Sequence, residues 1–421
     1  MTTLICTVGG SHQPIVKAIN ELKPKKIYFI CSQDGKGTGK KGSYISVIGK
    51  GLVNPSFNPS ESNIATLCQL SNNQIEVIKV DPDYLESIYF KILKVIQSID
   101  ENEDLVADYS GGTKSMSAAL ALAAVDQGIN INLVVGARSD HVKVEDGTEE
   151  SMPVNIDYLG FTRKFSNICR LWSSYSYSQA LLEAQKLPTS HLNKSEKTSF
   201  IQLSRAFDAW DKLDYLLASR ILNNYRSKIA KHYLAQLQMI DILVSDNKDK
   251  TKSTAYLIID LWNNAKRKSS QGYFDDAVAR VYRMLELTAQ WILETDKGWR
   301  TADLPDEAVI PGVNVTINRN GQKQTALLAS WQLIGSYAQG DLKIFIDNEM
   351  EKVKDLLNIR NHSLLAHGFD PIYEKDWGKF NNWIIDCFVP MFQRQIKVYN
   401  IGKDINLNAM QLPTEYKIEI S

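Results

Sequence analysis

The sequence predicts an α/β Rossmann-like N-terminal domain followed by an all-α connector and an all-α C-terminal domain. Three observations predict it. Short apolar runs alternate with helix-period segments over residues 1–158, strand signals vanish from about residue 159, and glycine-rich turns follow the first and fourth runs. The expected domains are 1–158, 159–255 and 256–421.

The N-terminal elements follow in order. Residues 4–8 form an apolar run ending at Gly9 and Gly10, and residues 14–22 read as a helix. Strands are expected at 27–31, 75–80, 104–109 and 129–135, the last closing the series. Helices are expected at 84–99, from its three- and four-residue apolar spacing, and at 114–127. Such alternation predicts a parallel, doubly wound sheet. In the connector, residues 177–186 and 200–243 read as amphipathic helices that pack and position, and no chemistry is assigned there. The C-terminal domain stays helical apart from a polar excursion at 311–324, where Asn318-Arg319-Asn320-Gly321 predicts the turn of a small hairpin.

Composition bounds the function. The chain has 48 Lys plus Arg against 48 Asp plus Glu, so nucleic-acid contact must come from local patches rather than from net charge. Its five cysteines lie far apart with no CxxC spacing, which argues against a zinc ribbon or a disulfide framework and suits a reducing cytosol. No signal-peptide pattern opens the sequence, and the longest apolar run is too short to span a bilayer. The expectation is a soluble, cytoplasmic protein without a membrane partner.

In open α/β sheets, ligands bind beyond the carboxyl ends of strands, where strand order reverses. Two strand ends carry suitable chemistry. Gly9, Gly10, Ser11 and His12 follow the first, and Ser110, Gly111, Gly112, Thr113 and Lys114 follow the fourth, just before a helix. Glycines allow close backbone approach, and free amides at a helix start attract phosphate. A Walker A loop is imitated at 34–43 but fails twice: Asp34 takes the first glycine position and Lys41 the Ser/Thr position. The Gly- and Lys-rich stretch 36–50 is better read as a loop over an anionic ligand, or as a solvated surface loop.

Near the C-terminus, Arg360 and His367 are seven residues apart. On one helix they would project from almost the same side, about 10 Å apart along the axis. Two such helices meeting at a two-fold axis would gather two of each into one cleft. Histidine can move a proton to or from a 2′-hydroxyl or a leaving 5′-oxygen, arginine can stabilise charge on the scissile phosphate, and Asn361 could orient either group. No acidic cluster of the kind that holds two catalytic metals is evident, so no metal site is expected. Upstream, Val278, Val281, Leu285 and Ile292 form an apolar stripe, while Arg280, Arg283 and Glu286 share another face as a ladder for RNA or a structural ion-pair network.

These residues resemble CRISPR-associated ribonucleases of type III systems, which join a CARF domain to a HEPN domain. Arg360-Asn-His-Ser-Leu-Leu-Ala-His367 fits the longer form of the HEPN signature, and the turns at 7–12 and 110–114 match the CARF half. The resemblance implies a homodimer that binds cyclic oligoadenylate as its allosteric activator, without a cofactor. It implies metal-independent cleavage of single-stranded RNA in antiviral defence, leaving a 2′,3′-cyclic phosphate and a 5′-hydroxyl. Arg360 and His367 carry over as catalytic and Asn361 as supporting; His362 follows Arg360 at a spacing the signature does not use. Cyclic tetra-adenylate is favoured over cyclic hexa-adenylate. Some CARF domains slowly cleave their own activator, for which Ser11 and Lys114 are the candidates here, although both serve binding equally well.

Three rivals stand below this expectation. A CARF-type regulator without catalysis would need a winged helix-turn-helix, which is not visible after residue 256. A HEPN toxin would lack the long sensor domain. A ligand-gated DNA nuclease would want an acidic motif with a strand lysine, and Asp303, Asp306 and Glu307 have no suitably spaced one.

Overall fold

A computed structural model describes residues 2–35, 40–48, 62–136, 148, 150–154, 156–190, 193–245, 249–364, 366–402 and 410–419. The chain divides into two compact units, 1–164 with 188–193, and 165–187 with 194–421.

The first unit runs β1 (Thr2–Val8), α1 (Gln13–Leu22), β2 (Lys26–Ser32), the short α2 (Ile45–Ile48) and α3 (Ile64–Leu67), β3 (Ile75–Val80), α4 (Leu85–Gln97), β4 (Asp104–Asp108), α5 (Lys114–Gln127), β5 (Asn130–Val135) and β6 (Glu150–Val154). Sheet order is β3-β2-β1-β4-β5-β6, with the first five strands parallel and β6 antiparallel to β5. Strands β1 and β2 are nearly continuous apolar runs because helices cover both faces. Ile5, Ile30 and Val80 pack with Ile88, Ile92, Met116 and Leu120 on one face. Leu4, Cys6, Val8, Phe29 and Cys31 pack with Ile15, Ile19, Val47 and Ile64 on the other.

The doubly wound sheet is as expected, but it does not close at β5. Strand β6 escapes a sequence reading because it is a half-exposed edge strand of five residues with Pro153 inside it, and proline is confined to such edges.

Helix α6 (Asp157–Cys169) spans the point where the units divide. The second unit then contains α7 (Tyr177–Lys186), α8 (Lys194–Asp211), α9 (Tyr215–Val244), α10 (Lys250–Ser270), α11 (Phe274–Lys297), the hairpin β7 (Val315–Ile317) and β8 (Lys323–Thr325), α12 (Leu327–Gly335), α13 (Gly340–Asn361), α14 (Glu374–Trp383) and α15 (Val389–Val398). The expected turn lies in the hairpin, where Gly321 takes φ +78°. The helix expected at 200–243 is broken between α8 and α9, and α9 is itself kinked at Tyr233 (φ −127°, ψ 34°). Leu213 turns the chain at φ 67°, and the Asp214 side chain caps α9 by accepting from the Leu217 amide at 3.0 Å.

A buried polar network joins these helices. Arg267 of α10, with no exposed surface, donates to Asp211 of α8 at 2.7 Å and to Gln411 at 2.6 Å, and lies 3.5 Å from Asp260. Asp260 also accepts from Tyr215 at 2.8 Å and Trp210 at 3.2 Å. Residues 410–419 return along the helices: Tyr177 donates to the Pro413 carbonyl and Tyr233 to that of Glu415. Among the described residues, no helix is long and apolar enough to cross a membrane.

Candidate functional site

In the first unit, β1 and β4 are neighbours, and their following helices lead outward to β2 and β5 in opposite directions. Strand order therefore reverses between them, and both glycine turns lie at that point. The turns interlock. Thr7, fully buried, donates its hydroxyl to the Gly111 carbonyl at 2.6 Å. A Cβ on Gly9 would stand 2.6 Å from the Gly112 nitrogen, one on Gly111 would stand 2.6 Å from the Thr7 carbonyl oxygen, and Gly112 takes φ +92°. Turn-to-turn packing thus requires these three glycines. Exposed Gly10 has no neighbour within 4 Å of where its Cβ would be, so its backbone is open to approach.

The hydroxyls divide similarly. Ser110 accepts from the Val134 amide at 2.7 Å, which ties the turn to β5. Thr113 caps α5, accepting from the Met116 amide at 3.3 Å and donating to the Pro82 carbonyl at 2.6 Å. Lys114 is exposed at the first position of α5, and Ser11 and His12 are half-exposed before α1. Buried Asp108 accepts from the Ser110 amide at 2.9 Å and from Asn132 at 2.7 Å; burial raises its carboxyl pKa, against the lowering by these hydrogen bonds. The arrangement presents a cation, amides and hydroxyls suited to an anionic ligand.

Part of the glycine- and lysine-rich loop, 36–39 together with 49–50, lies outside the described residues. Its described part is anchored at Asp34, which accepts from the Gly42 amide at 2.9 Å, and at Ser32 and Ser43, which exchange two hydrogen bonds of 2.8 Å.

In the second unit, Arg360 sits in the last turn of α13, but His367 does not continue the helix. The helix ends at Asn361, so the two-turn spacing read from the sequence does not apply. At the stop, the His362 ring Nδ1 lies 2.7 Å from the Asn358 carbonyl, which also accepts the His362 amide at 3.1 Å. The chain then closes on buried Ser363. Its carbonyl accepts from the amides of Ala366 and Gly368, both at 3.0 Å, and Leu364 and Asp370 complete the loop with the Asp370 and His362 carbonyls. Gly368 passes so close to His362 that any Cβ there would overlap the His362 carbonyl. The Asp275 carboxylate of α11 accepts from the Ile372 amide at 3.0 Å and so tethers the segment leaving this loop. His367 is exposed on it.

The Arg360 guanidinium lies over the Tyr282 ring, 4.5 Å from its centroid, and donates to Asn361 Oδ1 at 3.2 Å. The other arginines are ion-paired. Arg283 donates to Glu286 at 2.7 Å and to Gln290 at 3.2 Å, while Arg280 donates to Asp276 at 2.8 Å and to Asn264. The ladder is therefore two separate pairs, because the Arg280 side chain turns back toward Asp276 four residues earlier. The sequence reading passed over Tyr282 and Asp275. Tyr282 stands between the two arginines in the same segment, yet only the fold brings α11 beside the end of α13. Asp306, by contrast, pairs with Lys323 at the start of β8, a strand lysine that sequence spacing did not bring to it.

Residues 246–389 match a family model described as the Csm6 HEPN domain. In fold, the chain is similar to Enterococcus italicus Csm6 bound to cyclic hexa-2′-fluoro-hexa-dAMP, at a TM-score of 0.58 and 13% identity over 97% of both chains. Can2 from Sulfobacillus thermosulfidooxidans in complex with cyclic tetra-adenylate aligns over 96% of this chain and 100% of its own, at 11% identity and a TM-score of only 0.24. No curated protein matches in sequence. Residues 246–389 thus resemble a HEPN domain in sequence, and the chain as a whole shares the fold of the Enterococcus structure.

Proposed function

We propose that this relative of the CRISPR-associated CARF–HEPN proteins is a cytoplasmic, homodimeric endoribonuclease, switched on by cyclic oligoadenylate and independent of metal. Its functional division would be a sensor at 1–158, a helical connector at 159–255 and a ribonuclease domain at 256–421. The observation that carries the proposal is the Arg360-to-His367 motif, which lies within the stretch matched by the HEPN model and is held at a structured helix end.

In the proposed reaction, the substrate's 2′-hydroxyl attacks the adjacent phosphorus. The new O2′–P bond forms as the P–O5′ bond breaks. His367 moves the proton that the 2′-oxygen loses or the 5′-oxygen gains, with its counterpart in the second copy available for the other transfer. Arg360 stabilises the charge that develops on the phosphate, and Asn361 supports Arg360 through its Oδ1. Arg280, Arg283 and Glu286 would shape the cleft or hold RNA. The products are a 2′,3′-cyclic phosphate and a 5′-hydroxyl.

On the sensor, Gly10, Ser11, His12 and Lys114 would meet the activator directly, and Gly9, Ser110, Gly111, Gly112 and Thr113 would hold the turns that present them. If the sensor also degrades its activator, Ser11 and Lys114 are the groups to test. Rings of four and six adenylates are both open, with four favoured; the Enterococcus neighbour is bound to a cyclic hexanucleotide, hexa-2′-fluoro-hexa-dAMP.

The experiment is RNA cleavage with chelator present, with and without each ring, beside Arg360→Ala and His367→Ala. Cleavage that requires one ring and is abolished in both variants is the expected result. Unchanged activity in the variants would place the active site elsewhere, and tight activator binding without any cleavage would favour a noncatalytic sensor.

A further inference from the structure

The arginine of the motif has a partner that the motif does not contain. Tyr282 lies in the middle of α11, on a helix whose buried stripe of Val278, Val281, Leu285 and Ile292 faces the core. Tyr282 itself is half-buried, and among the described residues no hydrogen bond engages its hydroxyl. What it offers is a ring face. The Arg360 guanidinium carbon stands 4.5 Å from that ring's centroid, well inside the distance at which a cation is held by an aromatic quadrupole.

The geometry has a chemical consequence. A guanidinium is planar, and all five of its N–H donors lie in the plane. With its carbon held over the ring, the cation keeps N–H donors for other acceptors. One donor already goes to Asn361 Oδ1 at 3.2 Å. Ring and amide together therefore hold the guanidinium at two points. Arginine otherwise has several free torsions, and freezing them before substrate arrives lowers the cost of reaching the transition state. Arg283, one residue from Tyr282 in sequence, is tied to Glu286 and Gln290 and does not compete for the ring.

We propose that Tyr282 is a positioning residue for the ribonuclease reaction: its ring holds the Arg360 guanidinium toward the scissile phosphate. This rests on the function proposed above. The ring acts through its face, so phenylalanine substitutes for it and an aliphatic side chain of similar size does not. Arg360 acts on charge that develops during the reaction, so loss of the ring contact falls on kcat far more than on KM.

The test is steady-state cleavage by the full chain saturated with its activating ring, comparing Tyr282→Phe, Tyr282→Leu and Arg360→Ala. Tyr282→Phe is expected to stay within about twofold of the parent, and Tyr282→Leu to lose about 5- to 30-fold in kcat at nearly constant KM. Melting curves and activator binding check that the leucine variant is folded; if it is not, Tyr282→Met, which keeps length without a π face, takes its place. A leucine or methionine variant with the parent kcat overturns the proposal. So does a phenylalanine variant that loses as much as leucine, since the hydroxyl rather than the face would then matter. An active Arg360→Ala sinks the functional reading itself, whereas an inactive Arg360→Ala beside a fully active Tyr282→Leu sinks only the role of Tyr282.

Discussion

The hydroxyl of buried Thr7 donates to the carbonyl of Gly111 across 104 residues of sequence, and this 2.6 Å bond locks together the two turns that end β1 and β4. The turns approach so closely that no side chain fits at Gly9, Gly111 or Gly112. Only Gly10 looks into open space.

This separates scaffold from contact. Gly112→Ala places a Cβ 2.9 Å from that of Thr7 at φ +92°, and should destabilise the protein by more than about 1 kcal/mol. Gly10→Ala should melt like the parent. If Gly10→Ala nevertheless weakens activator binding in calorimetry, its backbone touches the ligand; unchanged affinity would remove Gly10 from the site.

Lys114 is the exposed cation at the start of α5, where helix amides already favour anions. Lys114→Ala should weaken activator binding by about tenfold or more, and Lys114→Arg much less, since a charged hydrogen bond is lost only in the first. Equal affinity in both variants would show that no phosphate reaches this residue.

Two histidines follow Arg360, and they stand differently in the fold. His362 Nδ1 is held by the Asn358 carbonyl at the helix end, while His367 stands exposed on the closed loop. His362→Gln should keep the cleavage rate within about threefold, as expected for a surface substitution, whereas His367→Gln should lose nearly all of it. The reverse order of rates would exchange their roles.

Arg267 is enclosed by Asp211, Asp260 and Gln411. Burial raises the Asp211 carboxyl, but Arg267 and Lys268 overcome it and bring the pKa below its usual 3.8. That support is present above 3.8 and is lost only as pH falls through the lower folded value. Arg267→Met leaves buried Asp260 without its cation and Asp211 with Lys268 alone, and should cost about 3–5 kcal/mol in chemical denaturation at neutral pH. Burial already raises the Asp260 pKa against the pull of Arg267, so without the arginine it would climb further, and that of Asp211 would rise from its lowered value. The deficit should therefore shrink on acidification, as the carboxyls take up protons. A deficit that stays constant from neutral pH down to 3.8 would contradict this account.

Much of this was legible in the sequence. Alternating apolar runs placed β1 to β5, since a doubly covered sheet demands continuous apolar strands, and Asn320-Gly321 marked the hairpin turn. The edge strand β6 was not legible, because half-exposure and Pro153 erase the apolar signal. Nor was the break before α9, where apolar spacing runs on through Leu213 and only the Asp214 cap marks a new start.

The sequence by itself determined which residue types stand at the two sites, because strand ends, glycine turns and the Arg360-to-His367 spacing are local features of the chain. Only the tertiary structure decided how they are held. Thr7 meets Gly111, Tyr282 meets Arg360 and Asp275 meets Ile372 through contacts 78 to 104 residues apart, and no local periodicity encodes such pairs. The end of α13 at Asn361 belongs to the same class: a helical spacing was compatible with the sequence, but capping by His362 and closure onto Ser363 stabilise a turn instead.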